Sequence, residues 1–303
     1  ICSNPHGRRR KCTNYKKTDM EHEYQTDTEK ASLTSSPSYA DFAAPSAASS
    51  WNASQGFLNW GASICFALLT PLLFLLVYGG LVDMSIFAKI KSGQMTAPIM
   101  LLQLIGTFGG QILSLILSWM IVTGMGKRSF GEALGLSWPP QFKAWHALVL
   151  GVGMFAFSAL LMNLLPRQET DMDKFLKFGL SVRLVLALVA TIGAPIHEEI
   201  VYRGVLYGGL ERAIGMRGAV VIVSLLFWSV HVVQYWQSIA TLVAVLLLSF
   251  VLTALRAWSG KLLPCVATHL FFNGIQGILI VIAPEKAVTP EPATQSAMLL
   301  FPF

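Results

Sequence analysis

The chain has 303 residues, of which 54% are hydrophobic and only 13% charged, and its mean hydropathy is +0.58. Soluble domains carry about 25% charged residues, so this composition excludes an ordinary soluble domain. Its several apolar runs of about 20 residues indicate instead a polytopic helical membrane protein, an all-α transmembrane bundle of about seven to eight helices. The formal net charge of +6 fits membrane orientation and anionic lipid, with no nucleic-acid partner. Cys2, Cys12, Cys65 and Cys265 match neither a zinc-site spacing nor a disulfide framework.

Residues 1–55 are polar and basic, with Arg8, Arg9, Arg10 and Lys11 followed by Ser, Thr, Ala and Pro. Such a stretch cannot bury a core and is expected to be a disordered cytosolic tail. Seven apolar segments follow, near 57–82, 98–123, 145–165, 182–210, 218–236, 238–256 and 262–283. Together they suggest N-terminal transmembrane helices over 56–180, a core over 181–283 and a C-terminal tail over 284–303. Gly124, Gly126, Pro139, Pro140 and Pro166 punctuate the loops, which carry most of the charges. Loops on the tail's side of the membrane hold 8 Lys and Arg, the opposite side 7 and the tail itself 7. That count orients the N-terminus inside a cell membrane.

The stretch that stands apart is 193–203, reading GAPIHEEIVYR. It places two carboxylates, a histidine and an arginine inside an apolar segment, where ionisable groups are costly and mark function by default. Pro195 removes an N–H and kinks the helix, freeing a backbone carbonyl that a neighbour or a water must satisfy. Water beside Glu198 is therefore expected. Glu199 and Arg203 are four apart and share a helix face, so they can pair. Glu198 points about 100° away, toward a cavity.

Two later segments supply partners. Glu198 lies 17 residues before Gly215, and His231 lies 15 after Met216. Helices turning back at that point bring the two to nearly one depth. His269 and Asn273 share a face of the last segment, and both can donate to a developing oxyanion. Helix–helix hydrogen bonding is the alternative for that pair. His197-Glu198 begins an HExxH pattern, but Val201 breaks it. A zinc held by Glu198, His231 and His269 is chemically possible.

These residues resemble a known family. Glu198-Glu199-xxx-Arg203, Phe227-xxx-His231 and His269-xxx-Asn273 are similar, in order and spacing, to the three motifs of the CPBP family. That family includes CAAX prenyl proteases and bacteriocin-processing enzymes. The surrounding Ala194-Pro195, Tyr202-Arg203-Gly204 and Ala267-Thr268-His269 look alike too. The resemblance covers about 181–283. It implies an intramembrane endopeptidase whose active site lies inside the bundle. Its substrate would be a peptide or lipidated protein. Glu198 and His231 would activate water, and His269 and Asn273 would form the oxyanion site. Glu199, Arg203 and Phe227 would support them, and no cofactor would be required. Two other classes share such a pattern: a catalytically idle scaffold or immunity factor, and a proton-coupled transporter carrying protons on Glu198. A transporter would favour an internal repeat, and the Glu-Glu stretch has no second copy.

Overall fold

The computed structural model describes residues 50–165, 175 and 177–282. The basic cluster, most of the third loop and residues 283–303 lie outside the described residues. All regular structure among the described residues is helical. The long elements are α1 (Ala53–Leu81), α3 (Ala97–Thr123), α5 (Ala144–Leu164), α8 (Tyr207–Tyr235), α9 (Ile239–Ser259) and α10 (Leu263–Ile282). Short helices α2 (Ser85–Lys91) and α4 (Phe130–Leu134) lie in connections. Between α5 and α8 run α6 (Leu180–Leu188), a π-helical stretch (Val189–Gly193), α7 (Ala194–Glu198) and a second π-helical stretch (Glu199–Leu206).

Among the described residues, six helices are long and apolar enough to cross a membrane. The fourth, Leu180–Tyr235, spans 56 residues and contains both the fourth and the fifth apolar segments of the sequence. Its legs are separated at Gly215, whose φ of 76° and ψ of 166° are not helical. A positive φ is open to glycine at little cost, so the chain turns back here without a loop. The returning leg packs on the second π-helical stretch and on α9. Leu69, Leu72, Leu73 and Leu76 of α1 are all at least half exposed. Exposed leucines along one face of a helix this apolar suit lipid contact. The chain is a multi-pass membrane protein.

The first helix begins earlier than composition suggests. Asn52 and Gln55 form a reciprocal capping box, each backbone N–H bonding the other's side chain at 3.0 Å. Trp51 is buried and donates its indole N–H to the Val205 carbonyl at 2.7 Å. Residues 50–55 therefore belong with the helical body and not with the tail. On the other side of α1, Thr70 donates its hydroxyl to the Gly106 carbonyl of α3 at 2.7 Å. Small residues at this contact let the two backbones approach closely, as membrane helix pairs require.

Candidate active site

The two π-helical stretches bracket α7, which carries His197 and Glu198. In the first stretch the Ala194 N–H bonds the Val189 carbonyl, five residues back. Pro195 follows and has no N–H to give, so in this register the Ala190 carbonyl loses its partner. Asn273 of α10 supplies it, donating from Nδ2 to Ala190 O at 2.9 Å. The freed carbonyl expected from Pro195 is thus met by a side chain, and that side chain is one of the predicted site residues. One N–H of the Asn273 amide is committed to this bond, and the other remains available to the site.

Glu199 and Arg203 form the expected pair, with Nη1 donating to Oε1 at 3.0 Å and both side chains fully buried. Arg203 is further held by α9. Its Nε donates to Thr253 Oγ1 at 3.2 Å, and its Nη2 to the Ser249 hydroxyl at 2.9 Å and carbonyl at 3.1 Å. The guanidinium carbon stands 4.3 Å from the centre of the Phe227 ring, a cation–π contact in a dry setting. Phe227 in turn stacks on His231 with ring centres 4.5 Å apart. Phe227 therefore links the ion pair to the histidine.

One contact was not legible in the sequence. His269 Nδ1 lies 2.8 Å from the same Glu199 Oε1 that accepts from Arg203. A carboxylate so placed beside a guanidinium accepts, so Nδ1 carries the proton. His269 Nε2 then faces Glu198, 3.9 Å from its Oε2. His231 is oriented the same way: its Nδ1 is 2.7 Å from the Phe227 carbonyl, which can only accept, leaving Nε2 free. Each histidine thus has one ring nitrogen committed to the scaffold and one left over.

Glu198 forms no hydrogen bond among the described residues, and its side chain is 15% exposed. It faces a cavity of about 560 Å³ lined also by Phe227, His231, His269 and Asn273, with Phe155 of α5 and Leu248 of α9 opposite. The four residues expected to share one site do line one cavity. Four further side chains support the site in ways the motif spacing does not announce. Ser249 and Thr253 hold Arg203 from α9, and His197 Nε2 pairs with Ser114 Oγ of α3 at 3.0 Å. The only sequence signal for them is hydroxyl groups recurring at three- and four-residue intervals in apolar helices.

The donor chemistry of Glu198, His231 and His269 suits zinc, but their placement does not form a metal centre. Among the described residues, no three His, Cys, Asp or Glu side chains are grouped closely enough to hold an ion.

Buried carboxylates, two oriented histidines and an amide around one cavity inside a helical bundle define a candidate intramembrane hydrolase site. The family described as type II CAAX prenyl endopeptidase Rce1-like matches residues 180–275, from the first residue of α6 to just past Asn273. This segment of the chain is similar to that CPBP-type protease family. The match spans about a third of the chain, and α1 to α5 lie outside it. Comparison with curated proteins and with solved structures yielded no match.

Proposed function

We propose that the protein is an endopeptidase of the cell membrane that hydrolyses a peptide bond of a lipidated protein or membrane-associated peptide, without an obligatory metal. The observation that carries this reading is the Glu198 carboxylate, which accepts no hydrogen bond among the described residues and stands 3.9 Å from His269 Nε2 at the wall of a cavity that His231, His269 and Asn273 also line. A peptide hydrolase needs a water, a base beside it and donors for the carbonyl oxygen.

Glu198 takes a proton from water as the water oxygen bonds the scissile carbonyl carbon. His231 Nε2, unprotonated because Nδ1–H is held by Phe227 O, accepts the second hydrogen bond and orients that water. The carbonyl oxygen becomes an oxyanion. It receives N–H donors from His269 Nε2 and from the second amide N–H of Asn273. This role asks His269 to carry protons on both ring nitrogens, with Nδ1–H fixed on Glu199. Collapse of the tetrahedral species breaks the C–N bond, and the proton on Glu198 passes to the leaving amine. Glu199 is then more than half of a structural pair, because it sets the direction of His269. The family match favours a peptide carrying a C-terminal prenylated cysteine motif as substrate.

The test is direct. Full-length protein in lipid nanodiscs is incubated with a prenylated CAAX peptide, its unlipidated twin and a bacteriocin-type leader peptide, and products are read by mass spectrometry. Cleavage of the prenylated peptide by wild type but not by Glu198→Gln is expected. Equal cleavage by the variant would remove Glu198 from the chemistry.

A further inference from the structure

Glu198 and His231 are not the back wall of a single cavity. They also line a second one, of about 290 Å³, on their other side. This chamber lies between α1, α3, α7 and α8, and its mostly apolar lining includes Ser63, Thr107, Gln111, His197 and Tyr202. The pair expected to activate water is therefore a partition with space on both faces. The larger cavity has room for a peptide, and a bound peptide displaces the water there. Each turnover nevertheless consumes one water beside Glu198.

One residue lining the second chamber, Gln111, carries a group that asks for water. Gln111 is 6% exposed, and its Oε1 has no hydrogen-bond partner. It presses against the backbone of the catalytic segment: a Cβ on Gly193 would fall 2.5 Å from that oxygen. A buried amide oxygen with no partner costs about 1–3 kcal/mol, and native proteins meet such groups with ordered water. The same α1–α3 seam holds two more orphans, Asn59 Nδ2 and Gln103 Oε1, on residues 0% and 1% exposed. At about 30 Å³ per water the chamber has room for several.

On the reading of the site given above, we infer that the chamber between α1, α3 and α8 is a water-binding site that supplies the nucleophile to Glu198 from the side opposite the peptide. Gln111 anchors the water there, and His197, held by Ser114, closes the wall beside Glu198. Water reaches the carboxylate without passing through the substrate cavity, so a peptide can fill that cavity while the reaction proceeds.

Water is observed directly by magnetisation transfer from water to protein in solid-state NMR, on full-length protein with ¹⁵N-labelled glutamine in nanodiscs. A water cross-peak at the Gln111 side-chain amide is expected, assigned by its loss in Gln111→Leu. Contacts from lipid acyl chains in place of water, or no transfer at all, would overturn the inference. The kinetic counterpart uses Gln111→Leu and the chamber-filling Ala67→Phe. Each is expected to lower kcat about 10- to 100-fold with KM for the peptide unchanged. Unaltered kcat in a folded Ala67→Phe protein would overturn it as well. If wild type cleaves no peptide at all, the protease reading fails, and the cross-peak still decides whether the chamber holds water.

Discussion

Two neighbouring carboxylates sit in opposite environments. Glu199 is fully buried, ion-paired to Arg203 and bonded to His269. Glu198, one residue earlier, has no hydrogen bond among the described residues and faces two cavities. The backbone makes the difference. A helix rotates successive side chains by about 100°, so one points into the polar knot of α9 and the other into open space. A charge in a dry interior persists only with partners, whereas a charge at a cavity wall can exchange a proton with what enters. On the proposed mechanism the pair divides holding from reacting.

The sharpest way to break this comparison is Glu198→Gln. Removing a general base typically lowers rate by about 10²–10⁴-fold, and no hydrogen bond among the described residues depends on this side chain. A folded protein with unaltered thermal unfolding in detergent and little or no peptide cleavage is expected. A protein that unfolds instead would move Glu198 into the structural knot.

Glu199→Gln tests the other half. Breaking a buried pair leaves Arg203 uncompensated, a loss of about 3–5 kcal/mol, read as a lower midpoint of thermal unfolding. Arg203→Gln should do the same, and Glu199→Gln/Arg203→Gln should recover part of the loss. Activity should not recover in the double variant, because His269 Nδ1 has still lost the carboxylate it is held by. Recovery of both would show that Glu199 is structural only.

A smaller effect sharpens the oxyanion side. Loss of one oxyanion donor costs about 10²–10³-fold in kcat, the expectation for Asn273→Ala. Pro195→Ala restores an N–H that competes with Asn273 for the Ala190 carbonyl. A fall of about tenfold in kcat, with KM unchanged, is expected there. It should add nothing to Asn273→Ala, since both act through one amide. Additive losses would sever Pro195 from Asn273.

Much of this was legible before any coordinates. Apolar runs gave the helices, and charged residues inside an apolar run exposed the site. Four-residue spacing predicted the Glu199–Arg203 pair, and counting from the Gly215 turn placed His231 near Glu198. What was not legible depends on register. The spacing argument assumed α-helical rotation through 193–203, whereas π-helical stretches at Val189–Gly193 and Glu199–Leu206 flank α7. No residue pattern announces them, since a widened turn is chosen by tertiary contacts such as Asn273 on Ala190 and Arg203 on Ser249. The Glu199–His269 bond joins residues 70 apart and has no local signal. Gln103, Thr107 and Gln111 of α3 are buried, and no spacing in the sequence marks them.

The smallest expected effect is that of chelation. Zinc chemistry needs three side-chain donors aimed at one point at about 2 Å, with each histidine nitrogen unprotonated toward the ion. His231 and His269 each offer Nε2, because Nδ1 is committed to Phe227 O and to Glu199. Glu198 offers a carboxylate 3.9 Å from His269 Nε2. Yet among the described residues the three do not group as a ligand set, and the proposed mechanism draws its base, oriented acceptor and two donors from side chains alone. Peptide cleavage in nanodiscs should therefore persist after exhaustive treatment with a chelator, with kcat and KM unchanged. The thermal unfolding midpoint should not move either, since a structural ion would contribute folding energy. Loss of cleavage on chelation, with recovery on adding zinc and not magnesium, would show that Glu198, His231 and His269 close around an ion when substrate binds.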